Sequence, residues 1–291
     1  MKNKNLLMHK ILMQEKIIIT NPCEFEQKKA KLIFDGTTKI HIVSDFDKTL
    51  SKAFDKKNKM HSVIAQIREG KYLSEDYTKE AYKLHAKYNP IELSNIIPIE
   101  EKKKKMIEWW GTHINLIAKS GMNRKIANDI AKNKIILRKG SINFFKLIKA
   151  KKIPILILSA ALGDIIEKLL KINKVNYSGI HTISNFFKFD KKGNVTGYKG
   201  KIVHSLNKNE FEIQNTAFYR KIKTRKNIIL LGDTIDDLKM VEGTKYDELI
   251  KIGFLNENVK ENFEHYKKAY DVVILNDGTM NFVNKLINQI K

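Results

Sequence analysis

The feature that most constrains this chain is the segment Ile40–Ser51, in which a short apolar run is followed by two closely spaced carboxylates. Its first four residues, Ile40 to Val43, are β-formers or aromatic and therefore predict a buried strand. Asp45 and Asp47 come next, and alternate side chains of an extended chain point to the same side. We therefore expect the two carboxylates to converge at the carboxyl end of a strand, where open α/β sheets bind their ligands.

Such a pair of carboxylates has two interpretations. Two close carboxylates repel each other, and Mg²⁺ offsets that repulsion while it keeps positions for water and phosphate. One aspartate could then attack phosphorus to form an aspartyl-phosphate, and the other could act as general acid and afterwards as general base. A solvated aspartate pair that only closes the strand gives the same local pattern, so the rest of the chain has to decide.

A second strand end offers a group suited to phosphate. Residues 153–158 form a continuous apolar run, typical of a buried parallel strand, and Ser159 follows it. A helix-forming stretch begins a few residues later. Ser159 either binds phosphate together with the free N–H groups of that helix N-terminus, or it caps the helix.

A third strand end carries another carboxylate. The apolar run 228–231 leads into Gly232 and Asp233, so Asp233 joins the first two aspartates if their strands are neighbours. Lys208 could pair with phosphate and with charge that develops in the transition state. The chain is rich in lysine, so spacing alone does not single this one out. Three carboxylates at one sheet edge, with a serine and a lysine, predict a site for Mg²⁺ and phosphate.

Residues 51–135 lack strand-like runs and predict an inserted helical module. The predicted helices are 62–68, 75–87 and 100–117. Pro90 and Pro98 are expected to bracket a loop that contains Glu92. In the last predicted helix, Trp109 and Trp110 either pack in the core, or one of their faces lines a pocket and stacks on a nucleobase.

Composition limits the class of protein. The chain has 291 residues, which fits a core with an inserted module. The net charge of +23 raises the question of nucleic acid or anionic membranes, but the lysines are scattered and no nucleic-acid-binding motif accompanies them. We therefore do not expect nucleic-acid binding as the main role.

No apolar run reaches the about 20 residues that span a bilayer, and the single cysteine, Cys23, fits a reducing cytosol. A cytoplasmic protein without a membrane partner is expected.

The order of these motifs resembles the haloacid dehalogenase superfamily of phosphohydrolases: Asp-x-Asp-x-Thr, ending at Thr49, then a strand-end serine, a lysine, and Gly-Asp-x-x-x-Asp, ending at Asp237. Further stretches are similar to the cytosolic 5'-nucleotidase III family, also called pyrimidine 5'-nucleotidase. These stretches are Tyr-Asn-Pro-Ile-Glu (88–92), Met-Ile-Glu-Trp-Trp (106–110), Ser-Asn-Phe (184–186), Gly-Tyr-Lys-Gly (197–200), Asn-Lys (207–208) and Lys-Ile-Gly-Phe-Leu-Asn (251–256). The resemblance begins near residue 25 and continues to the C-terminus.

The resemblance implies an α/β fold, namely a haloacid dehalogenase-like Rossmannoid core with a parallel sheet and a helical cap inserted after the first motif strand. The core would comprise residues 1–50 and 136–291, and the cap, residues 51–135, would set substrate specificity. The implied activity is Mg²⁺-dependent hydrolysis of nucleoside 5'-monophosphates, with pyrimidine nucleotides such as CMP and UMP as the expected substrates. A monomer is expected.

The resemblance also implies a role for individual residues. Asp45 is the expected nucleophile and Asp47 the acid/base, while Asp45, the backbone carbonyl of Asp47, and Asp233 are expected to hold Mg²⁺. The expected substrate-binding residues are Glu92, Thr112, Ser159, Ala160 and Lys208. Supporting roles are expected for Thr49, Asp237 and Trp110.

Some positions depart from the family pattern. Ala161 and Asp236 stand where glycines are expected, and the stretch 111–113 is shorter. The base preference among pyrimidine, purine and 7-methylguanine therefore stays open, as does phosphate transfer to nucleoside acceptors. One alternative is a phosphatase with the same core that acts on another small phosphorylated metabolite, which only the cap can distinguish. Another is a basic nucleic-acid-binding protein with a degenerate core, which the three intact aspartates argue against.

Overall fold

A computed structural model of the protein describes residues 17–94, 96–208 and 216–291. The strands in these ranges are β1 (Ile17–Ile19), β2 (Ile40–Ser44), β3 (Phe54–Asp55), β4 (Asn58–Lys59), β5 (Ile155–Leu162), β6 (Ile180–Phe189), β7 (Val195–Lys199), β8 (Asn227–Gly232), β9 (Glu248–Leu255) and β10 (Val272–Leu275). The α-helices are α1 (Pro22–Asp35), α2 (Val63–Glu69), α3 (Glu75–Leu93), α4 (Ile99–Lys119), α5 (Arg124–Asn133), α6 (Ser141–Ala150), α7 (Gly163–Ile172), α8 (Ala217–Ile222), α9 (Val259–Ala269) and α10 (Asn281–Gln289). A 3₁₀ helix, Ile235–Val241, follows β8.

The strand predicted from the first motif, β2, lies inside an eight-stranded sheet with the order β1-β10-β9-β8-β2-β5-β6-β7. It pairs in parallel with β5 on one side and with β8 on the other. All five of its residues are buried, as expected for a strand that is covered on both faces. The predicted α/β fold with a mostly parallel sheet is confirmed, and the three strand ends singled out in the sequence are neighbours.

Alternate residues of β2 pack on opposite faces of the sheet. Ile42 belongs to a large hydrophobic cluster that includes buried residues of α1, α6 and α10. Val43 belongs to a smaller cluster with Phe218 of α8 and Met240 of the 3₁₀ helix. Truncation of such a buried side chain to alanine typically costs about 2–5 kcal/mol. Packing on both faces therefore holds β2, and with it the carboxylates that follow.

Strand β5 is longer than the sequence predicts. It extends to Leu162, so Ser159 lies inside the strand, and α7 begins at Gly163. The pairing of β5 with β6 is irregular between Leu158 and Leu162. The N-cap residue of α7 is Leu162, which makes no side-chain cap. The alternative in which Ser159 caps this helix is therefore wrong, because the extended chain separates the two.

Residues 51–135 contain the hairpin β3–β4 and the helices α2 to α5, and their described part adds no strand to the central sheet. The prediction that Pro90 and Pro98 bracket a loop around Glu92 is wrong, because α3 continues to Leu93. Pro90 lies near the end of α3, where its missing N–H removes a single hydrogen bond of the helix. Glu92 therefore extends from the last turn of a helix rather than from a loop.

The N-terminal part of the chain differs from the prediction. The sequence of the first residues also predicts a short helix-like start, which falls largely on residues 1–16 and therefore lies outside the described ranges. Ile17–Ile19 forms β1, which was not predicted and which pairs antiparallel with β10 at one edge of the sheet. Among the described helices, none has the length and apolar character required to cross a bilayer.

Candidate active site

Asp45 follows β2 directly, and its N–H continues the parallel pairing by donating to the carbonyl of Leu231 on β8 (2.9 Å). Asp233 follows β8 in the same manner. Carboxylate oxygens of Asp45, Asp233 and Asp237 all lie within 4.8 Å of one another. The convergence expected for two neighbouring strand ends is therefore observed.

Lys208 lies between two of these carboxylates. Its Nζ is 2.6 Å from Oδ1 of Asp45 and 3.3 Å from Oδ1 of Asp237. Burial alone would lower the pKa of Lys208, but the charges of Asp45 and Asp237 raise it above its ordinary value. The ammonium group therefore remains charged and holds the carboxylate of Asp45 in place. Geometry thus distinguishes this lysine from the many that spacing alone could not separate.

Asp237 organises the loop between β8 and the 3₁₀ helix. Its Oδ2 accepts hydrogen bonds from the N–H groups of Asp233 (3.0 Å) and Thr234 (2.9 Å) and from the hydroxyl of Thr234 (2.9 Å). The hydroxyls of Tyr266 and Tyr270 donate to the carbonyls of Asp233 and Thr234. The loop that carries Asp233 is therefore bound from both sides.

The donor set fits a hard divalent cation. Burial raises the pKa of both Asp45 and Asp233 above the ordinary aspartate value, and Lys208 only partly opposes these shifts. Oδ2 of Asp45 is buried and has no hydrogen-bond partner among the described residues. Asp237 is less suited to a metal, because its Oδ2 is already saturated and its Oδ1 faces Lys208. Asp45 and Asp233 are therefore the better candidates for Mg²⁺, which prefers carboxylate oxygens.

Asp47 is held by the N-terminus of a helix from the inserted segment. Its Oδ1 and Oδ2 accept from the N–H of Val63, the first residue of α2, at 3.1 and 3.3 Å. Burial raises the pKa of Asp47 to about 6, and the N–H of Val63 acts against this shift. A carboxyl group that titrates near neutrality can both donate and accept a proton. The position of Asp47 thus depends on both the sheet and the segment 51–135.

A cavity of about 410 Å³ opens over these residues and contains most of the predicted substrate-binding side chains. Ser159, Ala160 and Lys208 line it on the side of the sheet, and Glu92 and Trp110 line it from the segment 51–135. The core and the inserted segment therefore share one cavity.

Two predicted cap residues behave differently from the others. Trp109 is half-buried, stacks on Tyr88 with ring centroids 5.8 Å apart and is not among the described residues that line the cavity, whereas Trp110 lines it. Thr112 is exposed on α4 and is not among the described residues that line the cavity. The structure does not bring Thr112 together with the other site residues, and its role stays a prediction from the resemblance.

Two residues near the site were not predicted. Ser205 donates a hydrogen bond of 2.5 Å to Glu92, and no local pattern marks it. Arg138 is 1% exposed and donates to the carbonyl of the buried Thr49 at 2.7 Å. The one sign of Arg138 in the sequence is a charge placed directly after the apolar run 135–137.

Comparison with known proteins agrees with this geometry. Residues 48–291 match the family described as Pyrimidine 5'-nucleotidase (UMPH-1). The chain is 34% identical over 281 residues to a Mus musculus protein named 7-methylguanosine phosphate-specific 5'-nucleotidase, and the alignment covers 96% of this chain and 94% of the relative. It is 31% identical over 294 residues to a Caenorhabditis elegans protein named putative cytosolic 5'-nucleotidase 3, and that alignment covers 98% of this chain and 78% of the relative.

Solved structures support both the fold and the family. Cytosolic 5'-nucleotidase IIIB bound to cytidine aligns with a TM-score of 0.83 and 30% identity, covering 96% of this chain and 95% of that one. A substrate-bound phosphoserine phosphatase aligns with a TM-score of 0.51 and 15% identity, covering 87% of this chain and 99% of that one, which shows a shared fold alone. The haloacid dehalogenase-like fold expected from the motifs is confirmed. The chain belongs to the pyrimidine 5'-nucleotidase (UMPH-1) family and is a hydrolase of the 5'-nucleotidase type.

Proposed function

We propose that the protein hydrolyses nucleoside 5'-monophosphates to a nucleoside and phosphate, with the pyrimidine nucleotides CMP and UMP among its substrates. One observation carries this proposal. The buried pair of Asp45 and Lys208, 2.6 Å apart, opens onto the same cavity as Glu92 and Trp110. Asp45 and Lys208 suit phosphoryl transfer. Glu92 and Trp110 offer a carboxylate and an aromatic face to a nucleoside.

The reaction would proceed in two displacements. A carboxylate oxygen of Asp45 attacks phosphorus, and the bond from phosphorus to the ribose 5'-oxygen breaks while Asp47 gives its proton to that oxygen. Asp47, now a carboxylate, then takes a proton from a water molecule that attacks the same phosphorus. The bond from Asp45 to phosphorus breaks, and phosphate is released. A pKa of about 6 for Asp47 suits a group that has to perform both proton transfers.

Ser159 and Lys208 are proposed to hold the phosphoryl oxygens, together with the backbone of the residue after Ser159. Oγ of Ser159 accepts from the N–H of Ala161 at 3.2 Å, so the hydroxyl hydrogen is available to the substrate. Two N–H groups of Lys208 serve Asp45 and Asp237, which leaves the third for a phosphoryl oxygen. These donors would offset charge on phosphorus in the transition state.

Mg²⁺ is the proposed cofactor, held by Asp45, Asp233 and the backbone carbonyl of Asp47. When bound, it would offset the charge of the phosphoryl group and the mutual repulsion of the buried carboxylates. The unpartnered Oδ2 of Asp45 and the purely oxygen donor set support this assignment.

A second candidate substrate is 7-methylguanosine 5'-monophosphate. The name of the Mus musculus relative points to it, whereas the cytidine complex supports a pyrimidine. The cavity gives a physical reason to test it, because 7-methylguanine carries a positive charge that the carboxylate of Glu92 and the face of Trp110 would both attract. We propose that the base is read by these two side chains in either case.

Location and assembly remain proposals of the same kind. Cys23 is a free, exposed cysteine, which suits a reducing compartment. We propose that the protein is cytoplasmic, in agreement with the word cytosolic in the name of the Caenorhabditis elegans relative. We also propose that it is a monomer. Light scattering after size-exclusion chromatography would test the monomer.

The decisive experiment measures phosphate release from CMP, UMP, AMP, 7-methylguanosine 5'-monophosphate and ribose 5-phosphate, with Mg²⁺ and with a chelator. We expect Mg²⁺-dependent release from at least one nucleotide at a rate well above that from ribose 5-phosphate. Equal rates on ribose 5-phosphate and nucleotides would contradict the proposed role of Glu92 and Trp110. Activity that persists in the chelator would contradict the metal.

A further inference from the structure

The loop that follows the two motif aspartates is held by one buried arginine. We name residues 48–54 the motif loop. Nε of Arg138 donates to the carbonyl of Thr49 at 2.7 Å, and a terminal nitrogen of the same guanidinium donates to the carbonyl of Lys48. The backbone N–H of Arg138 donates to the carbonyl of Leu50 at 2.8 Å. Three consecutive carbonyls of the motif loop therefore accept hydrogen bonds from one residue.

The far end of the motif loop is bound through the partner of this arginine. Asp277 forms an ion pair with Arg138 at 3.0 Å. The same carboxylate accepts from the N–H of Ala53 at 2.9 Å and from the N–H of Phe54 at 3.2 Å. Arg138 and Asp277 thus act as one unit that satisfies carbonyls at the start of the loop and N–H groups at its end.

Lys48 connects this unit to the proposed general acid, because it directly follows Asp47 in the chain. Its φ of 59° lies in the left-handed region, which costs a residue with a Cβ about 1–2 kcal/mol. Besides the guanidinium of Arg138, the carbonyl of Lys48 accepts from Nδ2 of Asn256 at 2.9 Å, and Oδ1 of Asn256 accepts from Arg138 at 3.2 Å. These bonds determine the direction in which the chain leaves Asp47.

A purely structural explanation accounts poorly for a charge at this place. Burying a guanidinium is costly, and a hydrophobic residue of similar volume often fills such a site at no loss of stability. The carbonyls that Arg138 reaches on Lys48 and Thr49 belong to the segment that positions Asp47. A requirement for accurate geometry explains the charge, because catalytic groups have to be held within a fraction of an ångström.

We propose that Arg138 is a positioning residue that, with Asn256 and Asp277, holds the motif loop so that the carboxyl group of Asp47 reaches the leaving oxygen of the substrate. Arg138 acts through Asp47 and touches neither substrate nor reacting atoms. This inference rests on the proposed function, and in particular on Asp47 as the general acid. Misplacement of Asp47 should slow the departure of a leaving group that needs a proton and should matter little for one that does not.

The test compares CMP, whose ribose alkoxide must be protonated, with p-nitrophenyl phosphate, whose nitrophenolate leaves without a proton. Arg138→Lys keeps the charge that Asp277 requires but cannot bind two carbonyls in the fixed fork of a guanidinium. Because Asp47 also serves as general base in the second displacement, which both substrates share, the comparison uses kcat/KM, which includes only the steps up to departure of the leaving group. We expect kcat/KM for CMP to fall on the order of 10- to 100-fold, whereas kcat/KM for p-nitrophenyl phosphate should change less than about threefold. Asn256→Ala should shift the same ratio in the same direction by a smaller factor, and it decides the question if Arg138→Lys does not fold.

Arg225→Lys is the matched control. Arg225 also donates to backbone carbonyls, those of Thr37 (2.7 Å) and Ile40 (2.9 Å), but at the opposite end of β2. Its replacement should leave the ratio of the two kcat/KM values unchanged. The inference is overturned if Arg138→Lys slows both substrates equally, or if its ratio shifts no more than that of Arg225→Lys.

Failure of the proposed function would be visible separately in the unaltered enzyme. If that enzyme cleaves ribose 5-phosphate but no nucleotide, the nucleotide proposal fails, and Arg138 is tested with ribose 5-phosphate in place of CMP. If it cleaves no phosphate ester at all, both proposals fall.

Discussion

Oγ of Ser205 donates a hydrogen bond of 2.5 Å to Oε1 of Glu92, and this bond joins the loop before Lys208 to the last turn of α3. Three residues later, Lys208 pairs with Asp45 at 2.6 Å. One short segment, 205–208, therefore contacts both the helix proposed to read the nucleoside and the proposed nucleophile. The contact between the inserted segment and this loop and the placement of Lys208 beside Asp45 thus depend on the same four residues.

Ser205→Ala should weaken binding of nucleotides, because Glu92 loses the group that orients its carboxylate. A hydrogen bond to a charged group contributes about 1.5–3 kcal/mol, so we expect the KM for CMP to rise roughly tenfold while kcat changes little. Steady-state rates over a range of CMP concentrations measure both constants. Ser178→Ala, on an exposed serine, is the control. A lower KM in Ser205→Ala would mean that the bond to Glu92 competes with the substrate instead of preparing the site.

Asp45→Asn should abolish turnover while the fold survives. The amide has nearly the same shape as the carboxylate, but it is a poor nucleophile and cannot form the ion pair with Lys208. We expect kcat to fall by at least about three orders of magnitude, in the range seen when a nucleophile is removed. Circular dichroism and thermal unfolding would verify the fold.

Asp76→Asn is the control for Asp45→Asn, because Asp76 is exposed and far along α3 from the site. Its activity should match that of the unaltered enzyme. Substantial turnover by Asp45→Asn would refute the covalent scheme.

Asp233→Asn should uncouple stability from Mg²⁺. Without metal, the closely spaced carboxylates of Asp45 and Asp233 repel each other, so the variant should unfold at a higher temperature than the unaltered protein in a chelator. With Mg²⁺ at about one hundred times its Kd, the unaltered protein should gain about 2.7 kcal/mol, and the variant should gain far less. Thermal unfolding with and without Mg²⁺ measures both effects. An equal response of the two proteins to Mg²⁺ would exclude Asp233 as a ligand.

The positions of Asp45, Asp47 and Asp233 could be predicted because they depend on local patterns. Each follows an apolar run that forms a buried parallel strand, and the carboxyl ends of neighbouring parallel strands meet at one sheet edge. Glu92 lines the cavity, and its contact with the substrate stays a prediction. Its helix was missed, because Pro90 is a strong helix-breaking signal that the last turns of α3 tolerate.

Arg138 and Ser205 could not be predicted for a different reason. Arg138 binds Lys48 and Thr49, about ninety residues earlier in the chain, and Ser205 binds Glu92 across a still longer stretch. Neither contact leaves a periodic or short-range pattern in a single sequence. Lys208 leaves no local pattern either, and the sequence identified it only through the resemblance; its distance from Asp45 then distinguishes it in the structure.

The buried His113 should make the inserted segment sensitive to acid. Nε2 of His113 lies 3.1 Å from the hydroxyl of Tyr77, which can donate to it only while the ring is neutral. Burial lowers the pKa of His113 from its ordinary value of 6.5 to about 4. At pH values between about 4 and 6.5, His113 therefore binds a proton in the unfolded chain but not in the folded chain. By linkage, the free energy of unfolding should decrease as pH falls from about 6.5 toward 4, by up to about 1.4 kcal/mol per pH unit for this one group.

His113→Gln isolates this contribution, because glutamine can still accept the hydrogen of Tyr77 and does not titrate. Urea unfolding at pH 7 and pH 5 should show a smaller loss of stability on acidification in His113→Gln than in the unaltered protein. His265→Gln, at an exposed position of α9, should retain the full loss. Other titrating groups, among them the aspartates of the site and His204, are common to all three proteins and cancel in the comparison. An identical pH dependence in His113→Gln and the unaltered protein would mean that folding does not shift the pKa of His113, which would contradict a buried, neutral ring that accepts from Tyr77.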